Sequence, residues 1–91
     1  IGVWGQRHLR YIREHKKALY TSLLTSGRLH SYLADVEEQA QELFDRLMKQ
    51  RAEREGITET LKTDNQMEWV QRMNALRLAV TETVNAEVIF V

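Results

Sequence analysis

The sequence predicts an all-α protein, a small bundle of three long helical segments. The 91 residues contain no proline, so nothing inside a segment forces a helix to break. Apolar residues recur at spacings of three and four, which place them on one face of a helix. Strand-like alternation is absent except at the last residues. A chain of this length supports a single core, so we assign residues 1–91 to one helical domain.

The first segment is the least regular of the three. Its stripe has spacings of four and three and consists of Trp4, His8, Ile12, His15, Leu19 and Leu23. The polar run at residues 14–17 interrupts the apolar character of this stripe. We therefore expect either one long helix or two shorter helices that meet near residues 15–17.

The middle segment has the clearest helical pattern. Its stripe alternates spacings of four and three and consists of Leu29, Leu33, Val36, Ala40, Leu43 and Leu47. Gly56 follows the last charged turn, a position where glycine commonly ends a helix. The pattern predicts a helix over residues 31–55, approximately, with Gly56 as its C-terminal cap.

The last segment begins with a capping-box pattern at residues 63–66, after a short turn or one-turn helix at 57–62. Its main stripe consists of Trp69, Met73, Leu76, Val80 and Val84. The tail at 88–91 has β propensity, but it follows a helix directly and is expected to dock on the bundle.

A second apolar stripe on the last segment suggests a partner. Met67, Leu78 and Ile89 recur every 11 residues, away from the main stripe. Such a stripe allows a helix to contact another subunit or helix. Alternatively, the broad core of a small bundle takes these residues in, or they are isolated apolar residues at the surface.

The net charge of zero is the sum of a basic first third and an acidic remainder of the chain. Residues 1–30 carry six basic residues against Glu14 alone, which gives +5, and residues 31–91 carry seven basic and twelve acidic residues, which gives −5. The basic set consists of Arg7, Arg10, Arg13, Lys16, Lys17 and Arg28.

This basic set has three interpretations. The cations pair with the acidic middle helix, within the chain or across a dimer, or they contact nucleic acid, or they are plain solvated surface. Arg10, Arg13 and Lys17 would share one face of a continuous helix and could follow phosphates, with Tyr11 and Tyr20 near enough to stack on bases. A helix-turn-helix around Gly27 fits the usual residue pattern poorly.

The sequence contains no pattern typical of a catalytic or metal site. The absence of cysteine excludes disulfides, thiolate zinc sites and cysteine nucleophiles. His8 and His15 lie roughly 10 Å apart along a helix, too far for one metal ion. No glycine-rich phosphate loop or Glu-x-x-His pair occurs. We expect no enzyme activity, cofactor, metal or small-molecule substrate, and no membrane contact, in a cytoplasmic protein.

Five stretches of the chain carry a resemblance to a known family. They are residues 1–7, 19–29, 32–35 together with 38–40, 56–59, and 66–70. Together, and in this order, they resemble the transposon-encoded TnpV family of bacterial mobile elements. The resemblance implies an acidic N-terminal extension before Ile1, and it implies a helix start near Lys17, where family members often have proline.

The resemblance implies no known chemistry, so function is predicted from the residues. The sequence favours a non-catalytic accessory protein that acts through protein contacts, as a homodimer. The alternative is a DNA-binding factor for excision or regulation, which would use the basic residues of the first segment.

Overall fold

The computed structural model describes all 91 residues as helices and short connections, without strands. The helices are α1 (Val3–His15), α2 (Lys17–Thr25), α3 (Leu29–Arg54), α4 (Glu59–Asp64) and α5 (Gln66–Val84), followed by a π-helical turn (Asn85–Ile89). The all-α class is therefore confirmed. The prediction of three long segments is wrong, because the chain forms five α-helices, of which α3 and α5 are the longest.

The break in the first segment lies at Lys16. This residue has φ −131° and ψ 57°, outside the helical region, and its N–H donates to the Ile12 carbonyl at 2.9 Å. The chain then starts again as α2 at Lys17. Of the two alternatives for the first segment, the structure has the two shorter helices, which meet at Lys16.

Two glycines end α2 and α3 in the same way. Gly27 and Gly56 have φ of 74° and 72°, the left-handed conformation that favours glycine. Beyond them, the N–H groups of Arg28 and Ile57 bond back to carbonyls five residues earlier, at 3.0 and 2.9 Å. This is the Schellman arrangement, which satisfies carbonyls left over at a helix end.

The N-cap of α5 lies two residues after the predicted cap, Thr63. Thr63 is still within α4, where its hydroxyl donates to the Glu59 carbonyl at 3.0 Å. Asn65 caps α5 instead, since its Oδ1 accepts the Glu68 N–H at 3.2 Å. The short helix that was predicted at 57–62 is α4, displaced by two residues.

The C-terminal tail is helical and not extended. After Val84 the chain widens into the π-helical turn, and Phe90 N–H donates to the Asn85 carbonyl at 2.8 Å. The wider turn changes the helical phase. Ile89 is consequently 0% exposed and packs in the core, so the prediction that it lines an exposed partner stripe is wrong.

The core is small and lies toward one end of an elongated molecule. It consists of Trp4, Val36, Ala40, Ile57, Leu76, Val80, Val84 and Ile89. Between Ala40 and Leu76, Ile57 is the single buried residue. The chain measures 55 × 19 × 17 Å, with a radius of gyration of 16.7 Å, against about 12 Å for a compact domain of this length. No helix has the length and apolarity needed to cross a membrane.

Candidate nucleic-acid interface

The N-terminus of α1 is held on α3 by a carboxylate. Gly5 N–H donates to Glu37 Oε2 at 2.6 Å, which satisfies an amide that has no partner within the helix. The two helices approach closely here: a Cβ at Gly2 would displace the Glu37 carboxylate, and one at Gly5 would lie 3.2 Å from the Leu33 carbonyl. Trp4 adds a bond from its indole N–H to Gln41 Oε1 at 3.1 Å.

His8 ties α1 to both α3 and the tail. It is 2% exposed, with Nδ1 2.7 Å from the Ile89 carbonyl and Nε2 2.8 Å from the Tyr32 hydroxyl. A carbonyl only accepts, so Nδ1 carries the proton and Nε2 of the neutral ring accepts from Tyr32. Burial raises the pKa of Tyr32 above its usual value of 10.0. His8 is therefore a core histidine, as its apolar stripe predicts.

The contacts of Trp4, Gly5 and His8 fix one face of α1 on α3 and the tail, so the opposite face is exposed to solvent. Arg10 and Arg13 are exposed on this face, and Lys16 and Lys17 are exposed at the break that follows. The break places Lys17 in a different helix from Arg10 and Arg13, so the three do not share one continuous helical face. Arg28 is also exposed, but it lies beyond the far end of α2, where its Nε donates to Ser26 Oγ at 3.3 Å.

Arg7 is the one half-buried member of the basic set. Its Nη1 donates to Asn85 Oδ1 at 3.3 Å, and its guanidinium carbon lies 5.2 Å from the centroid of the Trp4 ring. The contact with the aromatic face holds the cation in place. Arg7 thus lies where α1 meets the π-helical turn.

No carboxylate pairs with the basic set at 4.0 Å or less. Within that distance Glu68 pairs with Arg72, and the Glu14 carboxylate lies 3.9 Å from the His15 imidazole. The acidic side chains of α3 include Glu37, which bonds to the α1 backbone and not to a basic side chain. Within the chain, the structure therefore contains none of the direct pairs that the charge-pairing interpretation describes.

A groove beside the basic face is lined with aromatic rings. It has a volume of about 140 Å³ and is lined by Arg7, Arg10, Tyr11, Glu14, His15 and Phe90. The centroid of the Tyr11 ring lies 5.3 Å from that of His15 and 5.6 Å from that of Phe90. Sequence reasoning singled out Tyr11 but missed Phe90, because 79 positions separate them and no local pattern pairs them.

The predicted partner stripe is exposed at two of its three positions. Met67 is 74% exposed and Leu78 is 64% exposed, whereas Ile89 lies in the core. Val70, which was not predicted, adds a third exposed apolar side chain to α5. The structure therefore provides a stripe of Met67, Val70 and Leu78.

The remaining polar groups form no metal site. No three His, Asp or Glu side chains come together in an arrangement that could hold a metal ion. His15 and His30 are exposed, and His8 uses both ring nitrogens in the core.

Comparison with known protein families identifies the family of this chain. The model of a family described as "Transposon-encoded protein TnpV" matches residues 1–89. No curated protein and no solved structure matches the chain.

Proposed function

The chain belongs to the transposon-encoded TnpV family, and from this premise we propose that it is a non-catalytic accessory protein that binds the DNA of its transposon. The observation that carries the proposal is the basic set. Five of its six members are exposed, and none has a carboxylate within 4.0 Å. Cations left together without partners repel one another, and phosphates would relieve that repulsion while releasing counterions.

The arrangement of the basic set suits a phosphate backbone better than base edges. Arg10 and Arg13 are three residues apart on the outer face of α1, and Lys16 and Lys17 continue the positive surface across the break. Contacts of this kind position a protein on DNA without reading its sequence. The proposed binding therefore depends strongly on salt.

The test is a fluorescence anisotropy titration with a duplex from the transposon end, at about 50 mM salt and above. Arg10→Ala/Arg13→Ala/Lys17→Ala removes three charges from the proposed interface. The slope of log affinity against log salt should fall by up to about 3, because each phosphate contact contributes roughly 0.9.

The matched control removes three exposed charges elsewhere, as Lys49→Ala/Arg54→Ala/Arg77→Ala. This variant should retain most of the slope. Absence of binding by the wild-type chain at about 50 mM salt, or equal losses in the two triple variants, would contradict the proposal.

A second proposal, a homodimer, rests on the exposed stripe of α5. Its three apolar side chains, Met67, Val70 and Leu78, are 74%, 40% and 64% exposed, and a contiguous exposed apolar surface commonly marks a protein contact site. We propose that a second copy covers Met67, Val70 and Leu78.

Light scattering at tens of micromolar tests the dimer. Met67→Glu/Leu78→Glu should weaken self-association at least tenfold, since it places carboxylates in the apolar centre of the interface. Val3→Glu/Leu24→Glu changes two residues of similar exposure outside α5 and should leave association intact. A wild-type chain that stays monomeric would refute this proposal.

A further inference from the structure

We propose that the groove between α1 and the tail binds an unpaired nucleotide, with its base stacked on Tyr11, His15 and Phe90. The inference rests on the proposed DNA binding and specifies which form of nucleic acid the surface prefers. The base would enter the groove, and its phosphate would meet Arg7 or Arg10 at the rim.

The rings pack against one another along the groove. The Tyr11 ring lies 5.3 Å from His15 at 42° and 5.6 Å from Phe90 at 54°, so a base would stack on the outer faces of these rings and not between them. Tyr11 is half-buried and Phe90 is 49% exposed, which leaves aromatic surface available. Stacking on such rings is the usual way in which proteins hold single-stranded bases, and every base has a face to offer.

Ile89 anchors the tail, because this side chain is fully buried and its carbonyl accepts the His8 Nδ1–H at 2.7 Å. The half-exposed Phe90 ring lies beside Arg7 and Arg10. Aromatic rings next to basic side chains are typical of surfaces that bind single-stranded nucleic acid. The simpler alternative, in which Phe90 only packs the tail on α1, is the competing outcome of the test.

The charges of the groove fit a nucleotide better than a bare phosphate. Arg7 and Arg10 supply two cations, and Glu14 supplies one carboxylate on the same lining. The cations attract the phosphate, and a carboxylate can accept a hydrogen bond from the N3–H of thymine or uracil, a donor that is free only in an unpaired base. A paired base inside a duplex cannot enter a groove of about 140 Å³, so the ligand is unpaired.

The experiment compares a thymidine oligonucleotide of about 15 nucleotides with a duplex of the same length. The wild-type chain should bind the single strand more tightly. Phe90→Ala should weaken single-strand binding about tenfold, within the range expected for loss of one stacking contact, and change duplex binding less than about twofold. A uridine oligonucleotide shows whether the unpaired strand is DNA or RNA.

Tyr11→Leu tests the other wall of the groove, and Tyr20→Leu is the matched control on α2. Unchanged thermal midpoints establish that the variants fold. Equal losses for both nucleic acids, or no loss in Phe90→Ala and Tyr11→Leu, would overturn the inference while duplex binding still supports the proposed function. Failure of the wild-type chain to bind either nucleic acid would instead refute the proposed function.

Discussion

At the scale of single residues, Glu37 determines where α1 begins on α3. Its carboxylate lies at the positive end of the α1 dipole and accepts the Gly5 N–H at 2.6 Å. It does from a neighbouring helix what an N-cap side chain does locally, and α1 itself has no side-chain cap. No local pattern reveals this role of Glu37, because the contact joins residues 32 positions apart.

Glu37→Ala should therefore destabilise the fold by about 1 kcal/mol, the typical loss on removing a cap. Glu38→Ala is the matched control, since Glu38 is the next residue, is exposed and makes no hydrogen bond or ion pair. Urea denaturation monitored by circular dichroism measures both. Equal stabilities of the two variants would show that the contact with Gly5 contributes nothing.

Tyr32 holds the buried His8 ring in one orientation. Tyr32→Phe removes the donor to His8 Nε2 and leaves a buried nitrogen without a partner, which should cost about 1–3 kcal/mol. Tyr20→Phe, on a half-buried tyrosine of α2 whose hydroxyl makes no hydrogen bond, should change stability by less than about 0.5 kcal/mol. A similar small loss in both variants would refute the role of the hydrogen bond.

The same tyrosine predicts a response to alkaline pH. Burial raises the pKa of Tyr32 in the folded state above the usual 10.0. The neutral form is therefore favoured by folding, and its contribution is fully present below pH 10.0 and lost as the pH rises through the higher folded pKa. The free energy of unfolding should fall more steeply above pH 10.0 in the wild type than in Tyr32→Phe; parallel curves would contradict this.

At the scale of elements, sequence signals predict helices wherever the signal is local. Gly56 ends α3, and the polar run at residues 14–17 contains the break, because both effects act within one turn. The position of the α5 cap and the phase of the tail were predicted wrongly. At the α5 cap, the side chains of Thr63 and Asn65 can both serve as caps, and the structure uses Asn65. In the tail, the π-helical turn replaces a regular α-helical turn, and Ile89 is buried.

The break at Lys16 makes the next position suitable for proline. Lys17 is the first residue of α2, where a missing N–H removes no helical hydrogen bond and a fixed φ suits the helix. Lys17→Pro should change stability by less than about 1 kcal/mol. Thr21→Pro, in the middle of α2, should cost about 3 kcal/mol. Thermal melting distinguishes them, and equal losses would mean that α1 and α2 behave as one continuous helix.

At the scale of the whole molecule, the basic set and the elongated shape follow from how the helices pack. The basic set lies on α1 and around α2, near most of the buried side chains. The helices α3 and α5 extend beyond this region with half-buried apolar side chains such as Leu47 and Trp69. The exposure of Arg10 and Arg13 could be predicted from the sequence, because both residues lie opposite the apolar stripe of α1. The groove with Phe90 could not, because it depends on how the tail meets α1.

This asymmetry predicts two levels of local stability in native-state hydrogen exchange. Amides at Ala40, Val80 and Val84, whose side chains are fully buried, should exchange only by global unfolding. Amides of residues 61–73 should exchange through local opening that has a lower free energy than global unfolding, because Ile57 is the single buried residue between Ala40 and Leu76.

If a second copy covers α5, protection at residues 67–78 should rise with protein concentration, while protection at Ala40 follows global stability. Uniform protection along the chain would show that the two ends unfold as one unit, and a concentration effect absent from residues 67–78 would place any dimer contact elsewhere.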